Sequence, residues 1–425
     1  MARTPHDAVA ALLRRTPLPN QVRADAWDAF HFSKTLADLT PLLQQLPLPK
    51  VVRASLWDLK SKHAGRKEAQ MLPRESKYGR GGARLPDQAE PKRLAETPRD
   101  GTAPGAVSVF IAEHFRHFNA ATLHDAAEAY VAHLAKGGQM LVSLAGAMST
   151  AELGRSLAPM IRAGKIHAIS CTGANLEEDL FNLVAHDDYE RMPDYHELTA
   201  KDDTALAKRN INRVTDTGIP EKAAMTPIEK AFRAELDRAT ADNERLFPHE
   251  ILFAIINAGT LKTQYQGDPT NSWLVAAAEE EIPIVVPGWA DSTLGNVFAA
   301  DCLAGTYEPT LVKGSIEYMM ALAEWYEETS ASHDLGFFQI GGGIAGDFAI
   351  CVVPLLEQDA DRKGIKKWQY FAQLTDAEES MGGYSGALPN EKASWGKLPP
   401  DVPMFNIKGD ATINFPLLAS LVMGW

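Results

Sequence analysis

The stretch His167-Ala-Ile-Ser-Cys171-Thr-Gly-Ala-Asn175-Leu-Glu177-Glu178-Asp179 decides how the rest of the chain is read. A short apolar run, a turn through Thr172-Gly173-Ala174 and three acids opening a helical pattern describe a buried strand that passes into a helix through a tight turn. The same passage recurs along the chain. Met140–Leu144 leads into Ala145-Gly146-Ala147, Ile282–Pro287 into Gly288-Trp289-Ala290-Asp291, and Gly336–Ile340 into Gly341-Gly342-Gly343, with a further strand expected over Trp368–Leu374. Between them, Ala151–Arg162, Ser272–Glu281 and Ile316–Thr329 carry apolar residues at helical spacing. Strand then helix, repeated, predicts an α/β fold, a doubly wound, mostly parallel, Rossmann-like sheet covered on both faces. Ligands of such sheets lie at the carboxyl ends of the strands, where small residues admit a phosphate to backbone amides and helix N-termini favour it. The turns therefore suggest a dinucleotide, although the G-x-G-x-x-G fingerprint is missing.

Composition bounds the remaining classes. The 425 residues are 45% hydrophobic and 23% charged, as in folded soluble proteins, and their formal charge of -13 gives no general attraction for nucleic acid or anionic membrane. A cationic substrate or partner suits it better. The most apolar run, Ile340–Leu356, is broken by Asp347 and four glycines and falls short of the roughly 20 residues a membrane helix needs. No apolar leader opens the chain, so a cytoplasmic protein is expected. Cys171, Cys302 and Cys351 are too few and too widely spaced for a disulfide framework or a structural zinc site and are expected as buried free thiols, with no metal.

Residues 1–62 hold a repeat: Leu12-Leu13, Pro17-Leu18-Pro19, Val22-Arg23-Ala24 and Trp27-Asp28 return thirty positions later as Leu42-Leu43, Pro47-Leu48-Pro49, Val52-Arg53-Ala54 and Trp57-Asp58. Each unit reads as two short helices parted by a Pro-Leu-Pro turn, a small helical extension in which the units share one core. Residues 63–105, rich in Lys, Arg, Gly, Pro and Gln, read as a flexible linker, and 106–425 as the α/β domain, to which the resemblance given below assigns catalysis.

Four constellations carry candidate chemistry: the acids after Thr172, the turn Asp291-Ser-Thr-Leu-Gly-Asn296, the run Gly341-Gly-Gly-Ile-Ala-Gly-Asp347, and Tyr384-Ser-Gly-Ala-Leu-Pro-Asn-Glu391-Lys-Ala-Ser-Trp395-Gly-Lys397. With Asn212-Arg213-Val214, Ile219-Pro220 and Asp410-Ala411 they resemble the deoxyhypusine synthase family over about residues 109–420. The resemblance implies that family's NAD-binding α/β fold, a homotetramer with active sites between subunits, and transfer of an aminobutyl group from a polyamine such as spermidine to an amine acceptor. Acceptors in the family are a lysine of translation initiation factor 5A or a small diamine, the latter giving homospermidine.

Carried over position by position, the resemblance makes Lys397 the nucleophile that holds the alkyl group as a Schiff base. It assigns Glu177, Glu178, Glu391 and Trp395 to the donor, with the indole of Trp395 expected beside the lysine amine. It assigns Gly146, Ala147, Met148, Ser149, Thr150, Thr172, Gly173, Ala174, Glu178, Asp291, Gly342, Ala377, Asp410 and Ala411 to NAD. The chain departs from the family at Asn296, Tyr384 and Met381, where an acid is usual, and at Gly346-Asp347, where lysine-histidine is usual. Asn296, Asp347 and Tyr384 thus belong to an altered donor pocket, and a changed donor or acceptor is expected. A homospermidine-forming enzyme and a catalytically weak scaffold or regulatory relative are the alternatives.

Overall fold

The computed structural model describes residues 104–425 and, before them, Leu13, Ala26, Ala29, Phe30, Leu39, Leu42, Leu43, Leu46 and Leu56. Two compact units divide the chain, Met1–Gly79 and Arg80–Trp425. In the first, Leu13, Ala26, Ala29, Phe30, Leu39, Leu43 and Leu56 form one buried cluster. Leu13 and Leu43 occupy equivalent places in the two repeats, as do Ala26 and Leu56. The Pro-Leu-Pro turns, Trp27, Trp57 and all but the last two residues of the expected linker lie outside the described residues.

The described residues of the second unit hold nine strands in chain order: β1 Gln139–Leu144, β2 Ala168–Cys171, β3 Glu190–Arg191, β4 Ile211–Val214, β5 Thr217–Pro220, β6 Ile284–Val285, β7 Leu335–Ile340, β8 Tyr370–Thr375 and β9 Met404–Lys408. Six of them make the main sheet, ordered β6-β2-β1-β7-β8-β9 and parallel at every pairing. Alternate residues of the central strand face opposite layers. Phe338 points at Tyr130 and Phe415, from the helices Phe118–Ala135 and Ala411–Met423, with ring centroids 6.0 Å away in each case. On the other face Ser170 Oγ donates to Ala345 O, 2.6 Å, in the helix Gly343–Ile350. Both faces are covered, as the strand-helix alternation predicts.

Several boundaries differ from the sequence reading. Only Ile284 and Val285 of the expected Ile282–Pro287 strand pair, because β6 is a short edge strand bonded on one side. β9 carries half-buried polar residues, Asn406 and Lys408, that mask it as a strand, and the expected helix from Ala151 begins at Gly154. The motif Asn212-Arg213-Val214 proves to be β4 of a small antiparallel sheet ordered β3-β5-β4, in which Asn212 pairs with Ile219. Of the cysteines, Cys171 is buried while Cys302 and Cys351 are half-buried.

Replacing Phe338 by Ala removes a ring packed between helices of one layer, and should cost about 3–5 kcal/mol. Urea unfolding of the purified protein checks the value, and an effect below about 1 kcal/mol would contradict this account of the core.

Candidate active site

Parallel pairing sets the carboxyl ends of all six main strands along one edge, and most sequence-predicted site residues follow those ends in the chain, while Glu391, Trp395 and Lys397 come later, between β8 and β9. Asn175 holds the first two ends together. Its buried Nδ2 donates to the carbonyls of Leu144, Ala145 and Gly146 at 3.1, 3.1 and 2.9 Å, while its Oδ1 accepts from Ser149 N at 2.9 Å. Gly146 takes φ of +64° here, which a side-chain-bearing residue rarely adopts. Ser149 Oγ gives its proton to Asn175 O, 2.7 Å, and accepts from Trp273 Nε1, 2.9 Å, so this buried hydroxyl fixes the loop. Gly146, Ala147 and Met148 form the turn above it.

The helix Gly173–Ala185 begins next, capped by the neutral Thr172 hydroxyl, which accepts from Asn175 N and donates to Gly146 O. Gly173 must lack a side chain, since a Cβ there would stand 2.6 Å from the Cβ of Ser292. The acids behind this turn are buried, and each has partners. Glu177 accepts from Thr293 N and Leu294 N at 2.7 and 2.8 Å, capping the helix Thr293–Leu303. Glu178 Oε2 accepts from Thr150 Oγ1 at 2.5 Å. Asp179 accepts from the Ser272 hydroxyl and, at 3.1 Å, from Leu274 N. Burial pushes Glu178 up to about 7, against the Thr150 hydrogen bond and helped by the Glu177 charge, and pushes Asp179 up to about 6.

Asp291 is exposed and borders an open depression of about 530 Å³ with Arg233 and Asn296. Asn296 turns its amide back to Ser292 O, 2.6 Å. At the far end of the edge, Asp410 caps the helix Ala411–Met423 through Thr412 N, 2.7 Å, and Ala377 O accepts from Lys408 Nζ, 2.7 Å.

Lys397 lies beyond β7 and β8, only 7% exposed. Its Nζ donates to Asp347 Oδ1 at 2.9 Å and stands 5.3 Å from the centroid of the Tyr384 ring. Trp395 is 68% exposed, so the indole expected beside the amine points outward and Tyr384 supplies the neighbouring ring. The cause is local: Gly396, at φ +76°, turns the chain after the short helix Glu391–Ser394, sending Lys397 inward and leaving Trp395 outside. Gly342 lets the Tyr384 segment close over the site, because a Cβ there would fall 2.2 Å from Ser385 Oγ. Glu391 is exposed and accepts from Leu388 N at 3.3 Å.

Beneath these groups runs a row of polar residues that the sequence reading missed. Ser170, Ser143, Gln339, Gln373 and Asn406 are register partners on five adjacent strands, so they share one face. Gln373 Nε2 donates to Ala387 O and Asn406 Oδ1, and its Oε1 accepts from Lys392 Nζ, 3.1 Å. Ser143 Oγ, Gln339 Oε1 and Tyr384 Oη have no hydrogen-bond partner among the described residues. A polar residue within four of the five expected strands, Ser143, Ser170, Gln339 and Gln373, was the available signal.

The deoxyhypusine synthase family model matches residues 112–422. The chain belongs to that family. A deoxyhypusine synthase-like protein of a Cyanothece species is 28% identical over 334 residues, covering 75% of this chain and 80% of its own. A probable deoxyhypusine synthase 1 of Methanosarcina acetivorans is 27% identical over 312 residues, covering 72% of this chain and 86% of its own. A solved Entamoeba histolytica structure aligns over 75% of this chain and 93% of its own at a TM-score of 0.44 and 11% identity. Membership in the deoxyhypusine synthase family supports aminobutyl transfer, and with it transferase chemistry, in general. Among the described residues no helix is long and apolar enough to cross a membrane.

The buried acids predict a pH dependence. Glu178 and Asp179 keep protons in the folded state that the unfolded chain releases near pH 4, so the folded state binds more protons between about pH 4 and 7 and its stability falls as pH rises through that window. The Glu178 share is roughly 3 kcal/mol. Denaturant unfolding at pH 5 and 8 should show the loss, and Glu178→Gln should make the two curves approach each other.

Proposed function

We propose that the protein is an NAD-dependent aminoalkyl transferase that carries its cargo as a Schiff base on Lys397, with a donor other than ordinary spermidine. The observation that supports it most is the lysine itself: within the family's Trp395-Gly396-Lys397 motif, it is buried and hydrogen-bonded to a carboxylate of the helix that follows β7.

The strand ends suit a dinucleotide on their own chemistry. Glu177 and Asp410 already occupy two helix N-termini, whereas the Gly173–Ala185 helix is capped by a neutral hydroxyl, leaving its positive end for a phosphate. Asp291, exposed at the next strand end, is the acceptor for ribose hydroxyls. NAD, when bound, supplies the hydride acceptor that turns the donor's secondary amine into an imine, and it returns the hydride at the end.

The protein's own share begins with a proton. Lys397 must lose one before its amine can attack the imine carbon, and Asp347 Oδ1, already hydrogen-bonded to Nζ, is the group positioned to receive it. Attack displaces the rest of the donor as a free amine and leaves the alkyl group double-bonded to Nζ. An acceptor amine, a small amine or a protein lysine, then adds to that carbon and frees Lys397. Tyr384, packed beside the amine with burial raising its hydroxyl well above the usual phenol range, stays neutral and bounds the pocket.

Borohydride added during turnover with NAD and a polyamine panel should fix the alkyl group on the peptide containing Lys397. Lys397→Ala and Lys397→Arg should both abolish trapping and transfer, since arginine keeps the charge but does not deprotonate. An adduct on another lysine, or transfer surviving in Lys397→Ala, would sink the assignment.

Assembly follows the same reading. Ile344, Met381, Trp395 and Ile413 are exposed apolar side chains near this edge, and a homotetramer would bury such surface. Light scattering at micromolar protein should return about four times the mass of one chain, and a monomer would contradict the proposal.

A further inference from the structure

Lys392 is the most deeply buried cation of the site, 2% exposed, and the transfer mechanism gives it no task. Its Nζ donates to Gln373 Oε1 at 3.1 Å and Ala387 O at 3.3 Å, and lies 4.8 Å from the ring centroids of both Phe371 and Tyr384. Two aromatic rings and two neutral oxygens are the groups with which proteins bind substituted ammonium ions. Here the chain's own ammonium occupies them. Lys397 approaches the same Tyr384 ring, 5.3 Å from its centroid, and Asp347 is the carboxylate hydrogen-bonded to it. Glu391 is exposed, with one oxygen engaged by Leu388 N. Burial first, then the Lys397 charge, pushes Lys392 down to about 8.

We infer that Lys392 is a specificity-determining residue: its ammonium fills a cation box beside Tyr384, so the donor carries no ammonium group at the end that lies against that ring. The inference rests on the Schiff-base reading of Lys397 and deepens it by naming the substrate class. A donor ammonium at this place would be a third cation around one ring with a single bonded carboxylate. An uncharged or anionic end meets no such repulsion. A methionine would fill a similar volume without the cost of burying a charge.

The test compares spermidine, cationic at both ends, with its mono-N-acetylated derivatives, each uncharged at one end. Turnover and calorimetric binding are both measured on the full-length wild type and on Lys392→Met and Lys392→Arg. The wild type should prefer an acetylated donor. Lys392→Met should move the ratio toward spermidine by on the order of tenfold, chiefly through KM, while Lys392→Arg keeps the wild-type ratio. Tyr384→Asp, which adds a carboxylate and leaves Lys392 in place, should move it the same way and serves if the Met variant does not fold. An unchanged ratio in whichever of these two variants folds overturns the inference. If no donor gives an adduct even in the wild type, the Schiff-base reading fails, and calorimetry still decides this one: tighter spermidine binding in Lys392→Met supports it, and equal binding overturns it.

Discussion

The parallel pairing of β1 with β7, six residues from Gln139–Leu335 to Leu144–Ile340, is the constraint on which the site depends. Partners in these strands are 196 positions apart in the chain, yet their register sets Ala145 beside Gly341 and so brings the first loop against the triple glycine. β2 and β6 extend the sheet from one side, β8 and β9 from the other. The order of the strands reverses its course at this central pair, which is where an open α/β sheet leaves a crevice for a ligand. Every later feature of the edge follows from that register.

The edge is divided by charge. On the β2 side three buried acids are held by hydroxyls and backbone amides, so their carboxyls act first as clamps between helices. On the β7–β8 side two lysines are buried around Tyr384 with Asp347 between solvent and Lys397. Burying cations next to one another is costly, and the polar row beneath offsets part of the cost by giving Lys392 the oxygen of Gln373.

Much of this was legible in the residues. The alternation of apolar runs and helical patterns, with Gly173 and Gly342 at the turns, announced the doubly wound sheet, because period and turn chemistry are local properties. β9 was not legible, since its alternate residues are polar where helix and loop partly cover it, and neither was the β3-β5-β4 sheet, whose short strands have no repeating pattern. Lys397 was singled out through its motif. The ring beside it was misassigned to Trp395 because the turn at Gly396 decides which side chain enters the pocket, and a sequence does not display φ.

The sequence by itself determined the strand-helix rhythm, the small residues at the strand ends and the family motif with its lysine, all of which depend on neighbours within a few positions. Only the tertiary structure decided that Glu177 caps a helix more than a hundred residues away, that Ser170, Ser143, Gln339, Gln373 and Asn406 form one row, and that Lys392 and Lys397 share a single tyrosine ring. Those relations depend on register between distant strands and on which face each residue turns inward, and burial then fixes their energies by removing the water that would otherwise screen each charge.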